Sequence, residues 1–304
     1  MHFEIQDLGE AKLWLGVEYR RNWDKGTIAL TQEHYAKQIV QEFGLDAATN
    51  RSSVPMAAGT KLHKFEESSD EVLLDEKKAK MYQKLVGSLL YLANLTRPDL
   101  SFSVNTCARF MSAPTKNHWD AAKQIGGYLA NTLNYGLVYG TETELEMYGM
   151  VDADFAGAGI GDRKRSTSGY CFIYGGAAVS WKSFLERTAV KSTCEAEIMA
   201  SALGVNESMW ERKLCRDLEI KLTDGCMQLY GDNQAQLKLM DDRQAEDQTK
   251  HIATRYFIGR DKVALGEIKY DYVETGRMIA DIFTKPLAKV QFERFRAELG
   301  VRRL

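Results

Sequence analysis

Apolar and polar positions alternate first at period two along this chain. Leu13-Trp-Leu-Gly-Val-Glu-Tyr19 reads as a strand, Asp24-Lys25-Gly26 as a turn, and Thr27-Ile-Ala-Leu-Thr31 as the returning strand. A helix begins at Thr31 or Gln32, carries Tyr35, Ile39, Val40 and Phe43, and ends at Gly44. Residues 46–74 are polar and predict a long loop. Residues 75–134 switch to helical spacing. Tyr82, Leu85, Val86, Leu89 and Leu90 form one stripe; Phe102, Val104, Cys107 and Met111 a second; Trp119, Ala122, Ile125 and Leu129 a third. Thr96-Arg97-Pro98-Asp99 and Ser112-Ala113-Pro114-Thr115 separate them, since proline is tolerated only in a first turn.

Glycine, threonine and glutamate dominate 135–145, and a boundary near 142 is expected: residues 1–142 in one domain, 143–304 in another. The second half reads as strands 146–153, 168–174 and 177–182, helix 193–217, strand 226–231, helices 233–241 and 253–264, strand 267–273 and helix 279–299. Tyr174-Gly175-Gly176-Ala177 predicts a hairpin. A three-strand meander followed by alternating helix and strand predicts a mixed α/β fold, a five-stranded mixed sheet flanked by helices.

Composition narrows this little. The chain has 304 residues, 44% hydrophobic and 27% charged, with a net charge of −2, as in an ordinary soluble protein. No apolar run reaches the ~20 residues of a membrane span, and the first residues lack the basic and apolar stretches of a signal peptide. The expectation is a cytoplasmic or nuclear protein with no membrane partner and no small-molecule substrate. Five scattered cysteines without a Cys-x-x-Cys pair support neither zinc nor a disulfide framework.

The candidate chemistry lies in four acids. Asp152 sits near the end of the apolar run 147–154, Glu197 early in a long helix, Asp232 at the end of the run 227–232, and Asp281 at the opening of 279–287. Carboxylates at two strand ends and on two helical elements can converge. Clustered hard oxygens suit Mg²⁺ or Mn²⁺, and two such ions serve in-line phosphodiester hydrolysis. Glu195 competes with Glu197, but the two are about 200° apart around a helix. Glu197 stands one turn before the small residues Ala200 and Ser201, which favours it. Asp152 and Asp154 fall on one strand face, so alternation leaves that choice open.

Several segments resemble the end of the Pol polyprotein of Ty1/copia-type retrotransposons, in collinear order over nearly the whole chain. Phe3-Glu-Ile-Gln-Asp-Leu-Gly9 and Leu13-Trp-Leu-Gly-Val-Glu18 resemble the end of the reverse transcriptase palm. Val86-Gly-Ser-Leu-Leu-Tyr-Leu92, Thr96-Arg-Pro-Asp-Leu100 and His118-Trp119 resemble its thumb and connection. Asp152-Ala-Asp-Phe-Ala-Gly157, Arg165-Ser-Thr-Ser-Gly-Tyr170, Ser192-Thr-Cys-Glu-Ala-Glu197, Asp232-Asn-Gln234, Thr249-Lys-His-Ile252 and Ala280-Asp-Ile-Phe-Thr-Lys-Pro-Leu287 resemble the family's ribonuclease H domain.

The resemblance implies a ribonuclease H-like fold after a partial palm, thumb and connection. It makes Asp152, Glu197, Asp232 and Asp281 the ligands of two Mg²⁺ or Mn²⁺ ions. It implies cleavage of the RNA strand of an RNA–DNA hybrid, with Arg165, Ser166, Thr193, Asn233, Gln234, Lys250 and His251 contacting substrate. The rest of a retroelement polyprotein is the second expected partner. No Tyr-x-Asp-Asp tetrad occurs, so DNA polymerisation by this chain alone is not expected. Met278 stands where the family has Asn, and cannot donate the hydrogen bond that Asn could. The alternative is a catalytically weak or inactive nucleic-acid-binding relic.

Overall fold

The computed structural model describes residues 9–45, 52–66, 71–140, 146–155, 157, 165–187, 192–220, 222–234, 237 and 258–304. Its first surprise is the run 13–19. It is not one strand but a tight hairpin, β1 (Leu13–Trp14) against β2 (Val17–Asn22), with Trp14 opposite Val17. Leu15 and Gly16 both take positive φ, 48° and 72°, as a two-residue primed turn requires. β3 (Thr27–Thr31) returns as expected and leads into α1 (Glu33–Glu42).

The three apolar stripes become α2 (Glu76–Leu95), α3 (Ser101–Ala108) and α4 (Lys116–Asn131). Each break has a local cause. The Asp75 side chain accepts from the Lys78 amide at 2.8 Å and starts α2. Pro98 opens a 3₁₀ turn, Pro98–Leu100. Thr115 and His118 form a reciprocal cap on α4, the His118 Nδ1 accepting from the Thr115 amide at 2.9 Å. The helices are followed by β4 (Tyr135–Tyr139), which the glycine-containing pattern there does not announce.

The second half forms a sheet of its own. β5 (Tyr148–Asp154), β6 (Thr167–Tyr174) and β7 (Ala177–Leu185) are an antiparallel meander, joined at 174–177 by the expected hairpin. After α5 (Thr193–Asp217), β8 (Met227–Gly231) and β9 (Ile268–Tyr272) add in parallel beside β5. The order β7-β6-β5-β8-β9 is the expected five-stranded mixed sheet, with β8 and β9 parallel to β5. Of the expected helices 233–241 and 253–264, the second is seen over Ile258–Ala264, and most of the first lies outside the described residues.

The expected helix 279–299 is corrected. A 3₁₀ turn covers Ile279–Phe283, and helix resumes only at Lys289–Glu298. Pro286 lies between them, has no amide to donate and clashes with a preceding helical turn. The chain then returns to the first half: β10 (Val301–Arg303) pairs with β4 and completes the order β1-β2-β3-β4-β10. The expected boundary near 142 falls outside the described residues.

One buried cluster runs through both halves. It joins Leu85 and Leu89 of α2 and Leu129 of α4 to Met150, Cys171 and Ile173 on one sheet face, and to Phe283, Phe292 and Phe295. The other face, with Val151, Phe172 and Leu229, packs beneath α5. Trp181 is part of this join. Its indole N–H donates to the Ala93 carbonyl at 2.8 Å, and its ring packs on the shared core. No helix among the described residues is long and apolar enough to cross a membrane.

Candidate metal centre

β5 and β8 run parallel, so both present their C-terminal ends on the same side of the sheet. Asp152 lies two residues from the end of β5, and Asp232 follows β8 directly. α5 starts beside them. Ser192 caps it, its hydroxyl accepting from the Glu195 amide at 3.1 Å. Helical geometry then turns Glu195 outward and Glu197 inward. Glu197 is 4% exposed, Asp152 3% and Asp281 1%; Asp232 is half-buried.

Carboxylate oxygens of Asp152, Glu197 and Asp232 all lie within 4.8 Å of one another. Two glycines allow this approach. Gly169 is paired with Asp152 across β5 and β6, and a Cβ there would stand 2.5 Å from the Phe283 Cβ. Without it, the 279–283 turn lies flat on the strands. Gly204 does the same for α5, where a Cβ would meet Val151 Cγ2 at 2.4 Å.

Asp281 sits against Asp152 but outside that trio. Its carboxylate is held by Lys285 Nζ at 2.8 Å, one helical turn on. The Thr284 hydroxyl donates to Asp152 Oδ2, and the Thr275 hydroxyl donates to Asp232 Oδ2 at 2.8 Å. Sequence reasoning does not find Lys285, Thr284 or Thr275, although the four-residue spacing of Asp281 and Lys285 is a visible signal.

The electrostatics follow from crowding. Burial pushes the Glu197 carboxyl up to about 9, with the charges of Asp152 and Asp232 adding to it. Burial raises Asp281 to about 7, with Asp152 adding and Lys285 opposing. Burial likewise raises Asp152, against the pull of Lys285 and the Thr284 hydrogen bond. Asp154 on the same face is raised too, chiefly by burial. Burial works against the Lys285 charge, but Asp152 and Asp281 outweigh it and its pKa is raised. Converging oxygens that repel one another in a desolvated site fit a hard divalent cation, which supplies the missing counter-charge.

The expected substrate contacts divide. Thr193 is exposed at the start of α5, Gln234 is exposed just past Asp232, and Arg165 and Asn233 are half-buried. Ser166 is buried, with its carbonyl accepting from the Glu186 amide at 2.8 Å, which leaves it no face for a nucleic-acid strand. Lys250 and His251 lie outside the described residues.

No protein-family model matches the chain. Among curated proteins it is 33% identical over 302 residues to the retrovirus-related Pol polyprotein from transposon TNT 1-94 of Nicotiana tabacum, covering 98% of this chain and 22% of that protein. It is 33% identical over 302 residues to the retrovirus-related Pol polyprotein from transposon RE1 of Arabidopsis thaliana, covering 99% of this chain and 20% of that protein. The chain thus spans about a fifth of the length of these relatives. Among solved structures, the N-terminal RNase H domain of rv2228c from Mycobacterium tuberculosis aligns over 50% of this chain and 96% of that chain, at 13% identity and a TM-score of 0.32.

Proposed function

The chain belongs to the retrovirus-related Pol polyproteins of Ty1/copia-type transposons, and from that premise we propose that its second half is a ribonuclease H, a hydrolase of the RNA strand of RNA–DNA hybrids. The observation that carries the proposal is the meeting of Asp152, Glu197 and Asp232 oxygens within 4.8 Å, from three separate elements. These three acids, with Asp281 as the fourth, would hold two divalent cations, Mg²⁺ or Mn²⁺. Bound there, the ions supply an activated water and a counter-charge for the leaving oxygen of an in-line displacement.

The chain's own residues do the rest. Thr284 fixes one oxygen of Asp152 and Thr275 one of Asp232, so the remaining lone pairs face the cluster. Lys285 steadies Asp281 and keeps part of the negative charge matched before any ion binds. Arg165, Thr193, Asn233 and Gln234 are the proposed contacts to a backbone read by its shape and 2′-hydroxyls rather than by sequence. Lys250 and His251 complete the proposed contacts. The larger polyprotein is the proposed setting.

The test is cleavage of an end-labelled RNA–DNA hybrid with Mg²⁺ or Mn²⁺, wild type against Asp232→Asn. The wild type is expected to cut the RNA strand, and the variant to lose about a thousandfold or more in rate, several kcal/mol of transition-state stabilisation. Equal rates overturn the assignment. No cutting by the wild type with either ion leaves the binding relic as the better description.

A further inference from the structure

An open cleft of about 640 Å³ lies on the seam between the two sheets, and none of the four acids lines it. Tyr148 and Met150 of β5, Ile279, Arg277, Arg294 and Arg302 are among the residues that line it. Residues 148, 150 and 152 share a strand face, so the cleft starts about 7 Å and reaches about 13 Å from Asp152 along β5.

Its charge is unbalanced. Three guanidinium groups meet one carboxylate, Glu298. That carboxylate pairs with Arg294 Nε at 3.5 Å, and Arg294 is further held by donating to the Gly276 carbonyl. Arg277 and Arg302 are exposed and have no acidic partner among the described residues. Guanidinium forks match phosphate oxygens, and an excess of them over carboxylates concentrates anions. Met150 and Ile279 add an apolar floor. The Tyr148 ring is braced edge-on by Tyr230, with centroids 6.0 Å apart and planes at 78°.

We propose that this cleft binds a nucleotide unit of a single-stranded nucleic acid, with phosphates on Arg277 and Arg302 and a base against Tyr148. A single strand is favoured over a duplex because only an unpaired base can turn its ring face to the tyrosine. The assignment uses none of the four acids and stands or falls apart from the nuclease reading.

The experiment is fluorescence anisotropy of a labelled single-stranded oligonucleotide on the full chain in EDTA, across a salt series. Arg277→Gln/Arg302→Gln is expected to weaken binding about tenfold and to reduce the slope of log affinity against log salt by about 1.4, or about 0.7 for each phosphate no longer neutralised. Arg277→Lys/Arg302→Lys keeps the charges and recovers most of the affinity. Unchanged affinity and slope in a Gln double variant that melts like the wild type overturn the proposal. So does competition by free adenosine monophosphate at the same phosphate concentration as the oligonucleotide, which reassigns the cleft to a free nucleotide.

Discussion

Both halves of the molecule bury a constellation of charged groups, and they treat it in opposite ways. In the first half, Arg97 and Asp99 form a two-pronged pair, Nε to Oδ1 and Nη2 to Oδ2 both at 2.9 Å, at 3% and 0% side-chain exposure. Arg97 also donates to the Thr132 carbonyl at 3.0 Å and hydroxyl at 2.7 Å. The Tyr128 hydroxyl donates to Asp99 at 2.7 Å and accepts from Arg296 at 3.1 Å. Burial alone would raise the Asp99 carboxyl, yet the Arg97 charge and the hydrogen bonds of Arg97 and Tyr128 hold it low. In the second half, four acids face one lysine among the described residues, and burial drives the carboxyls of Asp152, Glu197 and Asp281 up. A charge set balanced from within serves the fold. One left unbalanced needs something from outside.

Breaking the balanced set should cost most. Asp99→Asn removes one charge and leaves Arg97 buried without its counterion. The expected loss is about 3–5 kcal/mol of stability, read from denaturant midpoints. No divalent ion should restore it. A midpoint shift under about 1 kcal/mol would mean that water, not Asp99, satisfies Arg97.

The two constellations are unequally legible in the sequence. The four acids stand out because each follows an apolar run or opens an element, and strand ends that run parallel converge by geometry. Helical angle lets only one of Glu195 and Glu197 face the sheet, and the small residues Ala200 and Ser201 one turn on favour Glu197. The Arg97 network is not legible. Thr96-Arg97-Pro98-Asp99 advertises a helix break, and nothing local says that Tyr128 and Arg296 will close over it. The same distance problem hides β4 and β10: a three-residue strand such as Val301–Arg303 has too few positions to show a period, and its partner lies some 160 residues earlier. The hairpin inside 13–19 is hidden because Leu15 adopts positive φ, which an apolar residue rarely does. Over 279–299 the apolar spacing suggests one continuous helix, but the ring of Pro286 overrides that spacing.

Relieving the unbalanced set should act in the opposite direction to Asp99→Asn. The folded pKa of Glu197, about 9, lies above its ordinary 4.5. A raised acid contributes its full share of stability below the unfolded pKa and loses it as pH climbs through the folded value. The ion-free protein should therefore melt progressively lower from about pH 5 to pH 9. Glu197→Gln should flatten that fall and, at pH 8 in EDTA, stabilise the protein by about 2 kcal/mol, while with Mg²⁺ it removes cleavage. Excess Mg²⁺ should flatten the profile of the wild type alone. A Gln variant that melts lower than wild type at pH 8 would mean that Glu197 is balanced after all.

The smallest effect is the sharpest comparison. Lys285 is the described cation inside the acid cluster, 2.8 Å from Asp281, but its side chain is 35% exposed. Solvent screens it, so Lys285→Met should cost only about 1 kcal/mol in EDTA. The decisive quantity is what Mg²⁺ does next. If the acids await an external cation, the ion takes over the counter-charge that Lys285 supplied, and variant and wild type should converge in melting temperature at saturating Mg²⁺. Arg97→Met, the matched change in the other half, should remain as destabilised with the ion as without it, because among the described residues no cluster of carboxylates lies beside Asp99 for Mg²⁺ to fill. Equal Mg²⁺ rescue of both variants, or of neither, would remove the distinction between a charge set built for the fold and one built for a ligand.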